Sequence, residues 1–248
     1  MKIALLCRGR TRSTAVIEYL SKVHNIQNKS EIYFTNHKFV LSPQYSIKNH
    51  KKLYIEKLCD FQNLLNNTTT ELLNIPSFIC KIWPSMLVYP PSSFSYDEDL
   101  SSIKNRTIFD ITNTLKLKEY NKVVVLNRDL ITSSLSWVYA KHTNVFSVLS
   151  HQKRKFHKIK LNELDLDFLR FYILEYCLQE KIVDYLDKTE LKYEIFSGYD
   201  SLTNNIQLRT KDSKNNYDLL IENLDDTKQF ISNFYKSCQI ETKDWYFY

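Results

Sequence analysis

Arg8, Arg10 and Arg12 alternate with Gly9 and Thr11 and run into Ser13 and Thr14, in the stretch CRGRTRST. Three guanidinium groups beside three hydroxyls suit the holding of a phosphate or sulfate, because arginine's planar fork can donate to two oxygens at once. A second set lies in NRDLITSSLSWVY, where Ser136 follows Arg128 by eight positions and Ser133 lies between them. On a helix starting at Asp129, Ser133 and Ser136 share a side, since three-residue spacing stays on one face. Arg128 and these hydroxyls make a second candidate anion site.

Elements must hold these groups in place. Lys2 to Cys7 is an apolar run that reads as a buried strand, Cys7 to Thr14 is a turn, and Ala15, Val16, Ile17, Tyr19 and Leu20 repeat at helical period. A strand–turn–helix of this kind aims free backbone N–H groups and a positive helix end at one spot. The same turn also reads as an ordinary first βα connection, basic and solvated. It lacks the Gly-Lys-Ser/Thr of a Walker A loop and the three glycines of a dinucleotide fingerprint.

Further strands are expected at Ser77–Trp83, Lys122–Leu126 and Leu191–Phe196, with a short extended piece at Glu31–Thr35. Asn25 to Ser30 reads as a polar break. Helices are expected over His50–Leu65, ended or interrupted by Asn66–Thr70, and over Thr107–Lys118. Further helices should run from Leu130 past Tyr139, from Asn162 or Glu163 to about Lys188, and over Tyr217–Lys236. Pro84, Pro90 and Pro91 mark a long loop through Asp99. Strands alternating with helices predict an α/β fold with three layers: a mainly parallel central sheet and helices on both faces. The absence of repeats and of Gly-, Pro- or Ser-rich linkers favours one domain over residues 1–248. In such sheets ligands bind outside the carboxyl ends of the strands, where both candidate turns fall.

Bulk properties narrow the class. A net charge of +6 favours an anionic ligand without demanding nucleic acid. The five cysteines form no C-x-x-C pair and no Cys/His cluster, so no metal site is expected and reduced thiols in the cytoplasm are. No leader-like segment and no apolar run of membrane-spanning length is seen. His151–Lys160, HQKRKFHKIK, is a basic patch that reads first as a solvated loop.

Taken together, the two turns resemble the sulfotransferases that use 3′-phosphoadenosine 5′-phosphosulfate (PAPS). Arg128 and Ser136 match that family's 3′-phosphate pair in type and spacing, and Arg10-Thr11-Arg12-Ser13-Thr14 is similar to its Arg-Ser-Gly-Ser-Thr loop. Arg12 stands where the family has glycine. CKIWP around Lys81 is similar to the second-strand Lys-Thr-His-Leu-Pro element, with Trp83 in place of the catalytic histidine. Glu31-Ile32-Tyr33-Phe34 resembles the Glu-aromatic-aromatic context of the trehalose and heparan sulfate enzymes, whose base is a glutamate.

The resemblance implies a P-loop nucleotide-binding fold and an enzyme. It would move a sulfuryl group from PAPS to a hydroxyl or amine acceptor, release 3′,5′-ADP (PAP), and need no metal. The glutamate-type likeness points to a carbohydrate acceptor. Catalysis would rest on Glu31 as base, with Arg10 and Lys81 neutralising charge. Arg8, Gly9, Arg10, Thr11, Arg12, Ser13, Thr14, Arg128 and Ser136 would hold the nucleotide. Two rivals stand beside it: a phosphotransferase of the same fold using ATP–Mg, and a non-enzymatic binder of acidic polymers through residues 151–160. His142, which follows the Ser136 helix, is left outside the catalytic set.

Overall fold

The computed structural model describes residues 1–9, 11, 13–29, 58–84, 88–89, 107–108, 111–143, 157–197 and 219–241. Five strands form one sheet: β1 (Lys2–Leu6), β2 (Gln27–Asn28), β3 (Phe78–Ile82), β6 (Lys122–Asn127) and β7 (Glu194–Ser197). Their order is β2-β3-β1-β6-β7, and every pairing is parallel. Two short strands, β4 (Val88–Tyr89) and β5 (Thr107–Ile108), pair antiparallel apart from it. The helices are α1 (Ser13–His24), α2 (Leu58–Leu73), α3 (Ile111–Thr114), α4 (Leu130–His142), α5 (Glu163–Asp187) and α6 (Leu224–Glu241).

The central strands are covered on both sides, which explains their unbroken apolar runs. Ala4, Leu6, Cys80, Ile82, Val123 and Val125 pack with side chains of α2, α4, α5 and α6. The alternate residues Ile3, Leu5, Cys7, Ile79, Val124 and Leu126 pack with Val16, Ile17 and Leu20 of α1. This is α/β architecture with helices on both faces of a parallel sheet. β1 lies at the switch point, where the chain fills one side of the sheet and then the other. Among the described residues, no helix is long and apolar enough to cross a membrane.

The structure departs from the sequence expectations in several places. α2 runs through Asn66–Thr70 to Leu73, because Leu65, Thr68, Thr69, Leu72 and Leu73 are buried on it. Packing there outweighs the weak helical preference of Asn and Thr. The helix expected over Thr107–Lys118 is instead a strand piece, the single turn of α3 and a 3₁₀ turn at Leu117–Glu119. Lys116 in the left-handed region (φ 48°) breaks it. β2 forms inside the expected polar break, whereas the expected piece at Glu31–Thr35 lies outside the described residues. β4 falls within the stretch expected to be a loop. The last helix starts at Leu224, after an isolated bridge between Ile159 and Ile221.

α5 follows expectation closely. Asn162 and Asp165 close a reciprocal capping box at its start. Asp165 Oδ2 also lies 2.8 Å from His142 Nδ1, which ties the end of α4 to the start of α5. His142 therefore has a structural partner.

Leu5 is fully buried at the centre of the sheet. Leu5→Ala should lower unfolding free energy by about 2–5 kcal/mol in urea titrations. Val23→Ala, at an exposed position of α1, should change it by less than about 0.5 kcal/mol.

Candidate functional site

β1 and β6 run side by side with Leu6 opposite Val125, so the turns that follow them leave the same edge of the sheet. Arg8 joins the two turns. Its side chain is 1% exposed and points inward. Nη2 donates to the Arg128 carbonyl at 3.2 Å and to Asn127 Oδ1 at 3.4 Å, while Nε donates to Gln179 Oε1 on α5 at 2.8 Å. Gln179 Nε2 in turn donates to the Leu126 carbonyl at 2.9 Å. Arg8 thus braces the turns from beneath, and most of its hydrogen-bonding capacity is spent inside the protein.

Gly9 is clamped from two sides. Its carbonyl accepts from the Tyr172 hydroxyl at 2.8 Å, and a Cβ at this position would lie 2.8 Å from Trp137 Cζ3. The absence of a side chain is what lets the Trp137 ring close on the turn. Trp137 stacks on Tyr172, their centroids 5.4 Å apart. Burial pushes the Tyr172 phenol above its ordinary range, against Arg8, Ser133 and Arg128, which pull it down. Tyr172 thus sits in the field of both turns, touching Gly9 in one and sensing Arg128 in the other.

The remaining described residues of the first turn lie together. Thr11 is buried and donates its hydroxyl to the Arg8 carbonyl at 2.7 Å. Ser13, also buried, opens α1. Thr14 is exposed, and its hydroxyl accepts from Lys81 Nζ at 3.2 Å, so Lys81 reaches from buried β3 to the start of α1. α1 has no acidic residue in its first turn and carries Lys22 and His24 in its last. The positive end of its dipole therefore meets no fixed carboxylate of its own helix.

The second turn differs. Asp129 caps α4, its carboxylate accepting from Thr132 N at 2.7 Å. The helix end beside Arg128 is thereby already satisfied by an anion. Ser133 and Ser136 are both buried in α4, as is every residue from Ser133 to Ala140, and Ser133 donates to the Asp129 carbonyl at 2.7 Å. Arg128 is half-buried.

Arg10, Arg12 and Glu31 lie outside the described residues, as does most of the basic patch. Its end, His157, Lys158 and Lys160, is exposed around buried Ile159. Trp83, which replaces the histidine of the resemblance, packs against the core. Among the described residues no group of His, Cys, Asp and Glu could hold a metal ion. No protein-family model, curated protein or solved structure matches the chain.

Several residues around the turns were not singled out from the sequence. Tyr172 and Gln179 are interior positions of a long amphipathic helix, and nothing in their spacing distinguishes them from core. Trp137 reads from sequence simply as packing. Lys141 is half-buried, its Nζ 5.2 Å from the ring centroids of both Trp137 and Phe168. Burial lowers its pKa from 10.5 to about 8.

Gly9→Ala should cost about 1–3 kcal/mol by overpacking against Trp137. The cost should shrink in a Trp137→Leu background, which a double-mutant cycle by chemical denaturation would measure. The Lys141 Nζ should titrate with a midpoint near about 8 in heteronuclear NMR. Because the folded pKa is depressed, Lys141's contribution to stability is full above its unfolded value. It is lost as pH falls through about 8.

Proposed function

We propose that the protein is a PAPS-dependent sulfotransferase of P-loop type, transferring a sulfuryl group to a hydroxyl or amine acceptor, with a carbohydrate the favoured class. The observation that carries this reading is the adjacency of the two turns. Arg8 bonds across from one to the other, and Tyr172 donates to Gly9 in the first. A nucleotide with anionic groups at both its 5′ and 3′ positions can bridge two such turns. The first turn supplies the unopposed start of α1, with Ser13 and Thr14, and Lys81 beside it. The motif resemblance supplies the roles.

Sulfuryl transfer, like phosphoryl transfer, depends on positioning and on neutralising spread-out negative charge. In this reading Arg10, Lys81 and the turn amides stabilise the sulfuryl oxygens and the departing phosphate. Gly9, Thr11, Ser13 and Thr14 shape that cradle, with Arg12 alongside. Arg8 supports it from below. Arg128 and Ser136 hold the 3′-phosphate. The acceptor oxygen or nitrogen forms a bond to sulfur as the sulfur–phosphate-oxygen bond breaks, and Glu31 takes the acceptor proton.

Thermal shift with 3′,5′-ADP should raise the midpoint, whereas ATP–Mg at equal concentration should not. The opposite ranking would favour the phosphotransferase. Arg128→Ala should remove the preference for 3′,5′-ADP over 5′-AMP. With PAPS and an acceptor panel, Glu31→Gln should lose about 10²–10⁴-fold in rate. Full activity in that variant would remove Glu31 from the role.

A further inference from the structure

A cleft of about 360 Å³ opens between β6, β7, α5 and the last turn of α6. Its volume falls at the low end of ligand pockets, which span about 300–1,000 Å³. Arg8 forms part of its wall. Nη1 is buried and has no hydrogen-bond partner, and among the described residues no carboxylate forms an ion pair with this arginine. The Tyr176 ring, 4.0 Å from Cζ, is its neighbour on the cleft wall. A buried donor left without an acceptor is costly, and a bound anion would relieve that cost.

The α5 wall carries the opposite sign. Both Glu180 oxygens accept from the Tyr235 hydroxyl, at 2.9 and 2.8 Å, and Gln239 Nε2 donates to that hydroxyl at 2.7 Å. A chain of hydrogen bonds from α6 therefore fixes the Glu180 carboxylate, which keeps lone pairs for a further donor. Asp184 lines the cleft one helical turn on, and Lys181 lies between them. Burial pushes the Glu180 carboxyl up, opposed by Tyr235, Arg8 and Lys181 and reinforced by Asp184.

A simple anion would meet Glu180 and Asp184, and a simple cation would meet Arg8 and Lys181. A molecule carrying both signs answers both walls. Val183 and Ile195, which also line the cleft, offer apolar contact to its carbon skeleton. We propose that this cleft binds a small aliphatic amino acid, its carboxylate received by Arg8 and its ammonium by Glu180 and Asp184. The proposal does not rest on the sulfuryl-transfer reading.

Isothermal titration calorimetry on the full chain tests it with three probes: L-leucine, 4-methylpentanoate (leucine without its ammonium) and isoamylamine (leucine without its carboxylate). Leucine should bind, and loss of either charge should weaken binding by about tenfold or more. Arg8 also braces the turns, so Arg8→Gln is a poor sole test. Asp184→Asn, at an exposed position, should leave the melting temperature unchanged and weaken leucine by about tenfold. Three results would overturn the proposal: no heat with leucine up to roughly 10 mM, 4-methylpentanoate or isoamylamine binding as tightly as leucine, or unchanged affinity in Asp184→Asn.

Discussion

The arrangement of this protein's candidate site depends on one buried cation. Arg8 leaves the end of the central strand and turns into the layer beneath it, where Gln179, Asn127 and the Arg128 carbonyl take its protons. A guanidinium in such a place is expensive to desolvate, and its geometry is correspondingly demanding. It holds the ends of two neighbouring strands and a covering helix at fixed distances from one another. Tyr172 and Trp137, from α5 and α4, act on the next residue, so the turn is gripped at consecutive positions. The shape of the turn is therefore a property of α4 and α5 as much as of its own residues.

That dependence explains how much could be read from the chain in advance. The three central strands were legible because runs such as Lys122–Leu126 have few alternatives to a fully covered strand. α5 was legible because its capping residue and long periodic face agree. The Asn/Thr run of α2 and the broken stretch after Thr107 were not. In the first, burial of Leu72 and Leu73 carries the helix past residues with weak preference for it. In the second, Lys116 adopts a backbone conformation that no local pattern announces. Within the site, residue types pointed to an anion but could not sort them. Arg8 and Arg128 look alike in sequence, yet one is an interior brace and the other is half-buried at a turn. The sorting comes from strand alternation near Cys7 and from partners more than a hundred positions away.

The two turns are electrically unequal. The start of α1 has no acidic side chain in its first turn, while the start of α4 is closed by Asp129. At the first turn, oriented amides and a helix dipole contribute attraction for an anion. At the second, the Asp129 carboxylate already occupies the helix end.

The placement of β1 has a consequence for how the molecule is assembled. β1, the first strand of the sheet in chain order, becomes its middle, and its partners Phe78 and Lys122 lie far along the chain. Closing loops of that size is entropically slow, and parallel pairing gives no local hairpin to start from. On the ribosome, the apolar face of Ile3–Leu6 must wait until β6 emerges before it is enclosed on both flanks. Through that interval this segment is the stretch a chaperone would have most reason to hold.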